Sequence, residues 1–397
     1  MVEPIHGERT ILMIPGPTEL HPAVRDVLSK PIVAHYGPEW KIQYEETVRL
    51  SAEIFRTKGE VFIMPTPGTV ALETGITSLL EPGDDAVVID NGFFGGRLAE
   101  IAENCGVTVK RLTSELGSLV PPEKLRGVMD NGKVKAVIAV QNETSTGVFN
   151  PIPAYARIAK EYGALMIVDA ISSYGGAEMD FDGWRLDFCV GYANKCLGSI
   201  PGAVPVAISS EAWDVFRRRK TKPRSYFTNL AVWRYYMDEW KDIGHPYPTT
   251  VNPYAVLGLK AAAQAAIDEG LEKRYRRHLL LAAAFRKAIR AMGLETLPPE
   301  EIASPLVTAI SLPNQLWKDA GRINKIMVEK YGIMIGGGIA SLRGKIIRVG
   351  HMCITASSRY ILPTLAALEG TFRELGLDIS DGKEVFLKEL SRVEGKG

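Results

Sequence analysis

The stretch ALMIVDAISS, residues 164–173, decides the fold. Its apolar run 164–168 predicts a strand buried on both faces, which is typical of a parallel sheet covered by helices. Asp169 follows at once, and a carboxylate at the end of a buried strand is costly unless it meets a cation or hydrogen-bond donors. The stretch therefore predicts an α/β sheet with a polar site at the carboxyl edge of its strands, where such sheets bind ligands.

Similar short β-branched runs alternate with helical patterns on both sides of this stretch. Strands are predicted at Val61–Met64, Ala86–Ile89, Val107–Leu112, Ala136–Val140, Leu165–Val168, Phe188–Gly191 and Val204–Ile208. Helices are predicted between them at Thr69–Leu80, Gly95–Cys105 and Pro151–Tyr162. The alternation predicts a large domain built on a mostly parallel seven-stranded sheet.

After about residue 255 the pattern changes to that of a smaller α+β domain. Its predicted elements are helices at Tyr254–Asp268, Leu271–Met292, Asp319–Tyr331 and Arg359–Leu375, strands at Leu306–Leu312 and Lys345–Val349, and a glycine-rich turn at Gly336–Gly338. We expect residues 21–255 to form the large domain and 256–397 the small one. The N-terminal segment, residues 1–20, is expected to join the small domain.

The amino-acid composition limits the partners, metal sites and cell compartment that we expect for this protein. The 397 residues include 47 basic and 46 acidic ones, which argues against nucleic acid or an anionic membrane as a partner. Four cysteines without a CxxC pair predict reduced thiols and no metal site. No secretory signal pattern or ~18-residue apolar run is evident, so we expect a cytoplasmic protein. The basic run Arg217–Lys220 is expected to be a solvated helix end.

Three features converge on the predicted carboxyl edge of the sheet. They are Asp169, then Lys195 just past the next strand, and the turn Pro65–Thr69 between a strand and a helix. Each alone is common in α/β proteins. Together they match the needs of pyridoxal 5′-phosphate (PLP), whose aldehyde, pyridinium nitrogen and phosphate require an amine, a carboxylate and backbone N–H donors.

The chain also resembles a known family over nearly its whole length. The segments Val168–Ser173, Asn194–Gly198 and Arg348–Met352 are similar to those of class V aminotransferases of fold type I, in the branch of alanine–glyoxylate and serine–pyruvate aminotransferases. The resemblance implies a fold type I PLP-dependent transferase: a large domain with a mostly parallel seven-stranded sheet and a smaller C-terminal domain.

The resemblance implies a role for each matched cofactor position. Lys195 matches the lysine that carries PLP as a Schiff base and transfers a proton, and Asp169 matches the residue that keeps the pyridine nitrogen protonated. The other matched positions are Gly68 and Thr69 at the phosphate, Phe94 stacked on the ring, Thr144 at the 3′-oxygen and Asn194 near the phosphate. The family usually has a hydroxyl residue where this chain has Pro67.

Further matches concern the substrate and a second subunit. Arg348 matches the arginine that binds the substrate carboxylate, and an arginine inside an apolar strand is costly to bury without an anion. Tyr247 and Thr250 match residues that reach the phosphate in the other subunit, which implies a homodimer with shared sites. Arg343 is expected to be a surface loop residue, although a second anion contact is an alternative.

Neighbouring residues are expected to have structural roles. Cys196 is expected to pack inward, and His351 to be a structural group satisfied by its neighbours. His35 belongs to an N-terminal segment that lies near the substrate in relatives, but the sequence does not place it.

The resemblance implies transamination by a ping-pong mechanism from a small donor, alanine or serine, to glyoxylate or pyruvate. Pyridoxamine–pyruvate aminotransferase is the first alternative; that enzyme carries a glutamate in the turn where this chain has Thr66 and Pro67. Ureidoglycine–glyoxylate aminotransferase is the second. A dinucleotide-binding redox enzyme is disfavoured because Gly336–Gly338 lacks the required fingerprint. A protein of this fold that acts only as a regulator or scaffold is also disfavoured, because such a protein would need neither Lys195 nor Arg348.

Overall fold

The structure, a computed structural model, describes residues 10–394. In this range the strands are β1 (Ile11–Met13), β2 (Glu60–Met64), β3 (Asp85–Asp90), β4 (Thr108–Thr113), β5 (Ala136–Val140), β6 (Asn142–Glu143), β7 (Val148–Phe149), β8 (Leu165–Asp169), β9 (Phe188–Val190), β10 (Val204–Ile208), β11 (Glu295–Thr296), β12 (Val307–Ser311), β13 (Ile333–Gly337) and β14 (Ile346–Gly350).

The α-helices in the same range connect and cover these strands. They are α1 (Pro22–Leu28), α2 (Pro38–Phe55), α3 (Gly68–Leu79), α4 (Phe93–Asn104), α5 (Pro122–Met129), α6 (Ile152–Glu161), α7 (Ser210–Arg217), α8 (Leu230–Glu239), α9 (Pro253–Glu269), α10 (Leu271–Ala291), α11 (Ala320–Tyr331), α12 (Ser358–Glu374) and α13 (Lys383–Glu394).

The larger sheet has seven strands in the order β2-β10-β9-β8-β5-β3-β4. All its internal pairings are parallel except those of β10, which runs antiparallel to β2 and β9. Every strand predicted for this sheet is present within one residue of its predicted bounds. The chain therefore has the predicted α/β fold with a mostly parallel seven-stranded sheet.

The smaller sheet has five strands in the order β1-β13-β14-β12-β11. Strand β1 pairs in parallel with β13, so the described part of the N-terminal segment adds an edge strand to a sheet formed by the C-terminal third of the chain. Residues 1–9 of the segment predicted to join the small domain lie outside the described residues.

The glycine-rich turn predicted at Gly336–Gly338 is wrong in part. Gly336 and Gly337 belong to β13 and pair with β14. A side chain at Gly336 would place its Cβ 2.9 Å from Cδ of Pro15. Glycine is therefore used there for a close approach between two segments and not for a turn.

Two large hydrophobic clusters organise the core. One surrounds the seven-stranded sheet, and the other packs α10, α11 and α12 against the five-stranded sheet. Helix α9 was assigned to the small domain from the sequence, but its buried residues belong to the first cluster and it packs on α1 and α2. We therefore propose a domain boundary near Gly270, with residues 1–20 still joining the small domain.

Two surface features complete the fold. The basic run Arg217–Lys220 begins at the last residue of α7, and Arg217 and Arg218 are exposed beside Asp214, as predicted for a solvated helix end. Arg219 differs from the prediction, because it is half-buried and donates to the carbonyls of Ser78 and Leu80 at 2.8 and 2.6 Å. In residues 10–394, no helix combines the length and apolar character that crossing a bilayer requires.

Candidate active site

A cavity of about 220 Å³ opens at the carboxyl edge of the larger sheet. The loops after β2, β3, β5, β8 and β9 meet there, because parallel strands deliver their carboxyl ends to one edge. Of the ten site residues predicted from the sequence, six line the cavity: Gly68, Thr69, Phe94, Thr144, Asp169 and Lys195.

Lys195 is held by the N-terminal segment. Its Nζ donates to the carbonyl oxygen of Pro15 at 2.6 Å, and its own carbonyl accepts from the Thr18 hydroxyl at 2.8 Å. A Cβ at Gly16 would lie 2.3 Å from Nζ, so only glycine leaves room for the lysine. Burial lowers the pKa of Lys195 to about 8, and the charge of Arg348 acts in the same direction. The amine is thus closer to its nucleophilic neutral form than an exposed lysine would be.

Asp169 ends β8 with its carboxylate almost fully buried. Oδ1 accepts from the N–H of Ile171 at 2.8 Å, and among the described residues no further donor to this carboxylate is present. Burial raises the pKa of Asp169 to about 7, which the Ile171 hydrogen bond and the charges of Lys195 and Arg97 only partly offset. Such a carboxylate gains from a ligand that brings a cationic N–H.

The turn before α3 presents free backbone donors. Pro67 is the N-cap and supplies no side-chain cap, and the helix's first backbone hydrogen bond runs from Val70 to Pro67. The N–H groups of Gly68 and Thr69 therefore remain available for an anion. A Cβ at Gly68 would lie 2.4 Å from Cδ1 of Ile171, which explains the glycine.

Phe94 is positioned by a buried carboxylate that the sequence analysis did not single out. Glu143 accepts from the N–H groups of Phe94 and Gly95 at 3.1 and 3.0 Å, and from the hydroxyl of Ser145 at 2.5 Å. It caps α4, whose N-cap Gly92 has no side chain to do so. Burial raises the pKa of Glu143, although these hydrogen bonds oppose the rise.

Arg348 reaches this region from the smaller sheet. Its side chain is buried and donates to the carbonyls of Gly337 (2.8 Å) and Thr144 (3.0 Å). Neither carbonyl carries a formal charge, so the guanidinium keeps its positive charge and its remaining N–H donors for an anion. Because Thr144 lines the cavity, Arg348 lies directly behind the cavity wall.

Three other predicted residues are not brought into the cavity within this chain. Asn194 is buried beside Lys195. Tyr247 is buried, accepts from Trp40 Nε1 at 2.6 Å and donates to the carbonyl of His35. Thr250 is exposed. The roles predicted for Tyr247 and Thr250 concern a second subunit and stay predictions.

The residues expected to be structural lie outside the cavity lining. Cys196 is buried and bonded to the Ser172 carbonyl at 3.2 Å, which confirms that it packs inward. Nε2 of His351 bonds Thr308 at 2.9 Å, and burial lowers the pKa of this residue to about 3. Its Nδ1 is buried without a hydrogen-bond partner among the described residues, so the prediction that its neighbours satisfy it holds for one ring nitrogen only. Arg343 is exposed, as its loop position predicted.

Arg97 lines the cavity and was missed by the sequence analysis. It follows Phe94 by one helical turn, and its guanidinium lies 5.1 Å from the centroid of that ring. Nη1 donates to the hydroxyl of Thr69 at 3.4 Å. The available signal was its i+3 spacing from Phe94, which places both side chains on one face of α4.

The residues at this edge fit PLP. Asp169 has no cationic partner of its own until a pyridinium N–H is supplied, and the turn at Gly68 offers unused N–H groups. In the described part of the chain, Oδ1 of Asn142 and Oδ1 of Asn194 are buried without a hydrogen-bond partner. The unused N–H groups suit a phosphate and the unpaired carboxylate suits a cationic N–H, while the Asn142 oxygen, which lines the cavity, lacks a hydrogen-bond donor among the described residues.

Comparison with known proteins gives a consistent picture. A family model described as "Aminotransferase class-V" matches residues 28–359. An uncharacterized aminotransferase of Methanocaldococcus jannaschii is 34% identical over 97% of this chain and 100% of its own length. The (S)-ureidoglycine–glyoxylate transaminase of Bacillus subtilis is 32% identical over 94% of this chain and 93% of its own.

Solved structures show the same fold. The Bacillus subtilis ureidoglycine–glyoxylate aminotransferase superposes with a TM-score of 0.91 at 30% identity, covering 98% of this chain and 100% of that one. The pyridoxamine–pyruvate aminotransferase of Mesorhizobium loti has a TM-score of 0.91 at 26% identity, covering 98% and 99%.

Proposed function

Since the chain belongs to the class-V aminotransferase family, whose members depend on PLP, we propose that it transfers the amino group of a small amino acid, alanine or serine, to glyoxylate or pyruvate. The observation that carries this proposal is the meeting of Lys195, Asp169 and the Gly68 turn at one cavity, with Arg348 behind its wall.

PLP, when bound, supplies an aldehyde for the amino group and an electron-withdrawing ring. The chain contributes residues that would bind each end of the cofactor. Asp169 holds positive charge at the ring nitrogen, and the N–H groups of Gly68 and Thr69 bind the phosphate. Phe94 and Ile171 line the cavity, where they support the ring and exclude water.

Lys195 is the residue that moves a proton. With a pKa lowered by burial to about 8, its amine would accept the proton from the α-carbon of the bound amino acid and deliver it to the C4′ carbon of the cofactor. Arg348 orients the substrate by its carboxylate, since a planar guanidinium with two parallel donors matches that group. The same positions serve the second half-reaction, which makes the kinetics ping-pong.

Two features support the substrate class. Arg348 gives a site for one carboxylate, which suits neutral donors such as alanine or serine. Glyoxylate is named as an acceptor for the Bacillus subtilis relative, and pyruvate for the Mesorhizobium loti one. Ureidoglycine with glyoxylate, and pyridoxamine with pyruvate, are the alternatives that these same relatives support.

We further propose a homodimer with shared sites in the cytoplasm. Tyr247 contacts His35, whose segment carries exposed apolar residues, and the four cysteines are free thiols, as in a reducing compartment.

The test is an absorbance spectrum of the purified protein before and after L-alanine. We expect a visible band from the lysine-bound cofactor that gives way to a near-ultraviolet band, followed by recovery on adding glyoxylate. Lys195→Ala should abolish the visible band and nearly all transamination. A variant that keeps normal turnover would contradict the proposal.

The alternatives give different results. A colourless protein that binds no added PLP, yet forms alanine from pyridoxamine and pyruvate, would identify the pyridoxamine–pyruvate activity. A spectral response to ureidoglycine but not to alanine or serine would identify the ureidoglycine activity.

A further inference from the structure

Arg97 is a cation at the cavity that the proposed chemistry does not use. Its guanidinium is half-buried between the ring of Phe93, 4.9 Å from its centroid, and that of Phe94, at 5.1 Å. The side chain of Arg97 donates one long hydrogen bond, to the hydroxyl of Thr69 at 3.4 Å, and most of its five donors have no partner among the described residues.

Among the described residues Arg97 forms no ion pair, although its charge acts at longer range on Asp169 in the same cavity. Among residues 10–394, no carboxylate oxygen of an Asp or Glu lies within 4.0 Å of a nitrogen of Arg97, the distance that defines an ion pair. The neighbouring Arg111, in contrast, pairs with Glu103 at 2.6 Å and Asp90 at 3.5 Å. Partly burying a guanidinium without a counter-ion is unfavourable, so a ligand anion is the partner that the geometry lacks.

The other cationic side chains at the cavity already point to hydrogen-bond partners elsewhere. Lys195 points to the Pro15 carbonyl, and Arg348 lies behind Thr144. Arg97 instead contacts Thr69, the second residue of α3, whose backbone N–H is free at the start of that helix. Its charge is therefore placed at the end of the cavity where the phosphate of PLP is expected.

The turn itself brings neutral donors but no positive charge to this end. Pro67 has neither an N–H nor a hydroxyl, and the N–H groups of Gly68 and Thr69 are neutral. A phosphate with nearly two negative charges is bound more strongly by a planar cation than by neutral donors. We propose that Arg97 is a phosphate-binding residue of the cofactor site and supplies the charge that the Pro67 turn lacks.

This proposal rests on the proposed PLP-dependent function, and cofactor affinity tests both. Apoprotein of the full chain is titrated with PLP and, separately, with pyridoxal, which has the same ring and aldehyde but no phosphate. For Arg97→Gln we expect the dissociation constant of PLP to rise about tenfold or more. That of pyridoxal should change little. Arg97→Lys should retain most of the preference for PLP.

Arg157→Gln is the matched control, since Arg157 is exposed on α6, away from the cavity lining, and loses the same charge. It should bind both compounds as the wild type does. Equal weakening of PLP and pyridoxal by Arg97→Gln would overturn the inference, because Arg97 would then only support the ring stack or the fold.

Two further outcomes are informative. Unchanged cofactor affinities with a raised KM for L-aspartate would also overturn the inference and make Arg97 a substrate-carboxylate site. If the wild type itself binds PLP no more tightly than pyridoxal, the proposed function fails together with the inference, which separates the two cases.

Discussion

Burial moves the pKa values of Asp169 and Lys195 toward each other, to about 7 and about 8. Both shifts disfavour a charged form, that of the carboxylate in Asp169 and that of the ammonium group in Lys195. The proposed reaction requires both residues. The same two residues therefore destabilise the apoprotein and gain most from the cofactor, a combination typical of functional sites.

The shift of Asp169 predicts a pH-dependent stability. A carboxyl whose pKa is raised above 3.8 binds more protons in the folded state, so the free energy of unfolding falls as pH rises from about 4 to about 7. Asp169→Asn removes this loss. Chemical denaturation of the two apoproteins should show Asp169→Asn gaining up to a few kcal/mol relative to the wild type between pH 5 and pH 8, at about 1.4 kcal/mol per pKa unit. A gap that stays constant with pH would contradict the shift.

Arg348 is expected to act on substrate binding. Arg348→Lys keeps the charge but loses the two-pronged geometry, so KM for the amino donor should rise about tenfold or more. Steady-state kinetics with L-alanine measure the effect. Arg343→Lys, on the exposed loop five residues earlier, is the control and should leave KM unchanged. An equal effect of both variants would exclude the specific role of Arg348.

For single residues, the sequence predicted the site residues that belong to recognisable motifs. It missed residues whose role depends on contacts with distant parts of the chain. Asp169 ends one apolar strand and Lys195 follows the next, so both could be found from the chain alone. Glu143 directly precedes Thr144, a matched position, but only the structure shows that it accepts from the N–H groups of Phe94 and Gly95. No pattern in one sequence reveals which buried carboxylate caps a distant helix.

Among the elements, α4 depends on Glu143 for its N-terminal cap. Glu143→Gln replaces an acceptor of several hydrogen bonds with an amide that presents N–H groups to other donors. We expect the free energy of unfolding to fall by about 1–3 kcal/mol, and the affinity for PLP to fall as Phe94 loses its position. Denaturation and PLP titration measure the two effects.

Glu103→Gln is the control for α4, because it removes an exposed ion pair with Arg111 near the other end of the same helix. Such pairs contribute little, so its stability should change by less than about 1 kcal/mol. If Glu103→Gln and Glu143→Gln were equally harmful, the capping role would be wrong.

Element prediction succeeded where strands are continuous and apolar. Strands β5 and β10 were predicted to the residue, since both are wholly buried. Strand β13 was missed because Gly336 and Gly337 look like a turn, and their close packing against Pro15 depends on tertiary contact. Helix α9 was predicted but assigned to the wrong core, because an alanine-rich helix fits either.

The whole molecule exposes apolar side chains beside Tyr247. Ile32 is 67% exposed and Ile42 is 63% exposed, and the Gly37 N–H between them donates to Ile243, itself 60% exposed. A monomer rarely leaves so many large apolar groups together in water. They support the proposed dimer surface next to the residues expected to reach the other subunit.

The double variant Ile32→Asp with Ile42→Asp should weaken this dimer. We expect the dimer dissociation constant to rise at least tenfold and activity to fall at low protein concentration, because buried carboxylates at an interface are costly. Light scattering after gel filtration measures the mass. Leu387→Asp, with a similarly exposed leucine on α13, is the control. A wild-type monomer with full activity would refute the shared site.

The pairing of β1 with β13 also has a consequence for how the protein is made. Lys195 is held by Pro15, two residues after β1, yet β1 finds its partner strand only after residues 333–337 have been synthesised. Arg348 leaves the ribosome later still. A nascent chain therefore holds a nearly complete seven-stranded sheet long before it holds a finished site. Productive loading of cofactor is thereby confined to the last moments of translation or to the released chain.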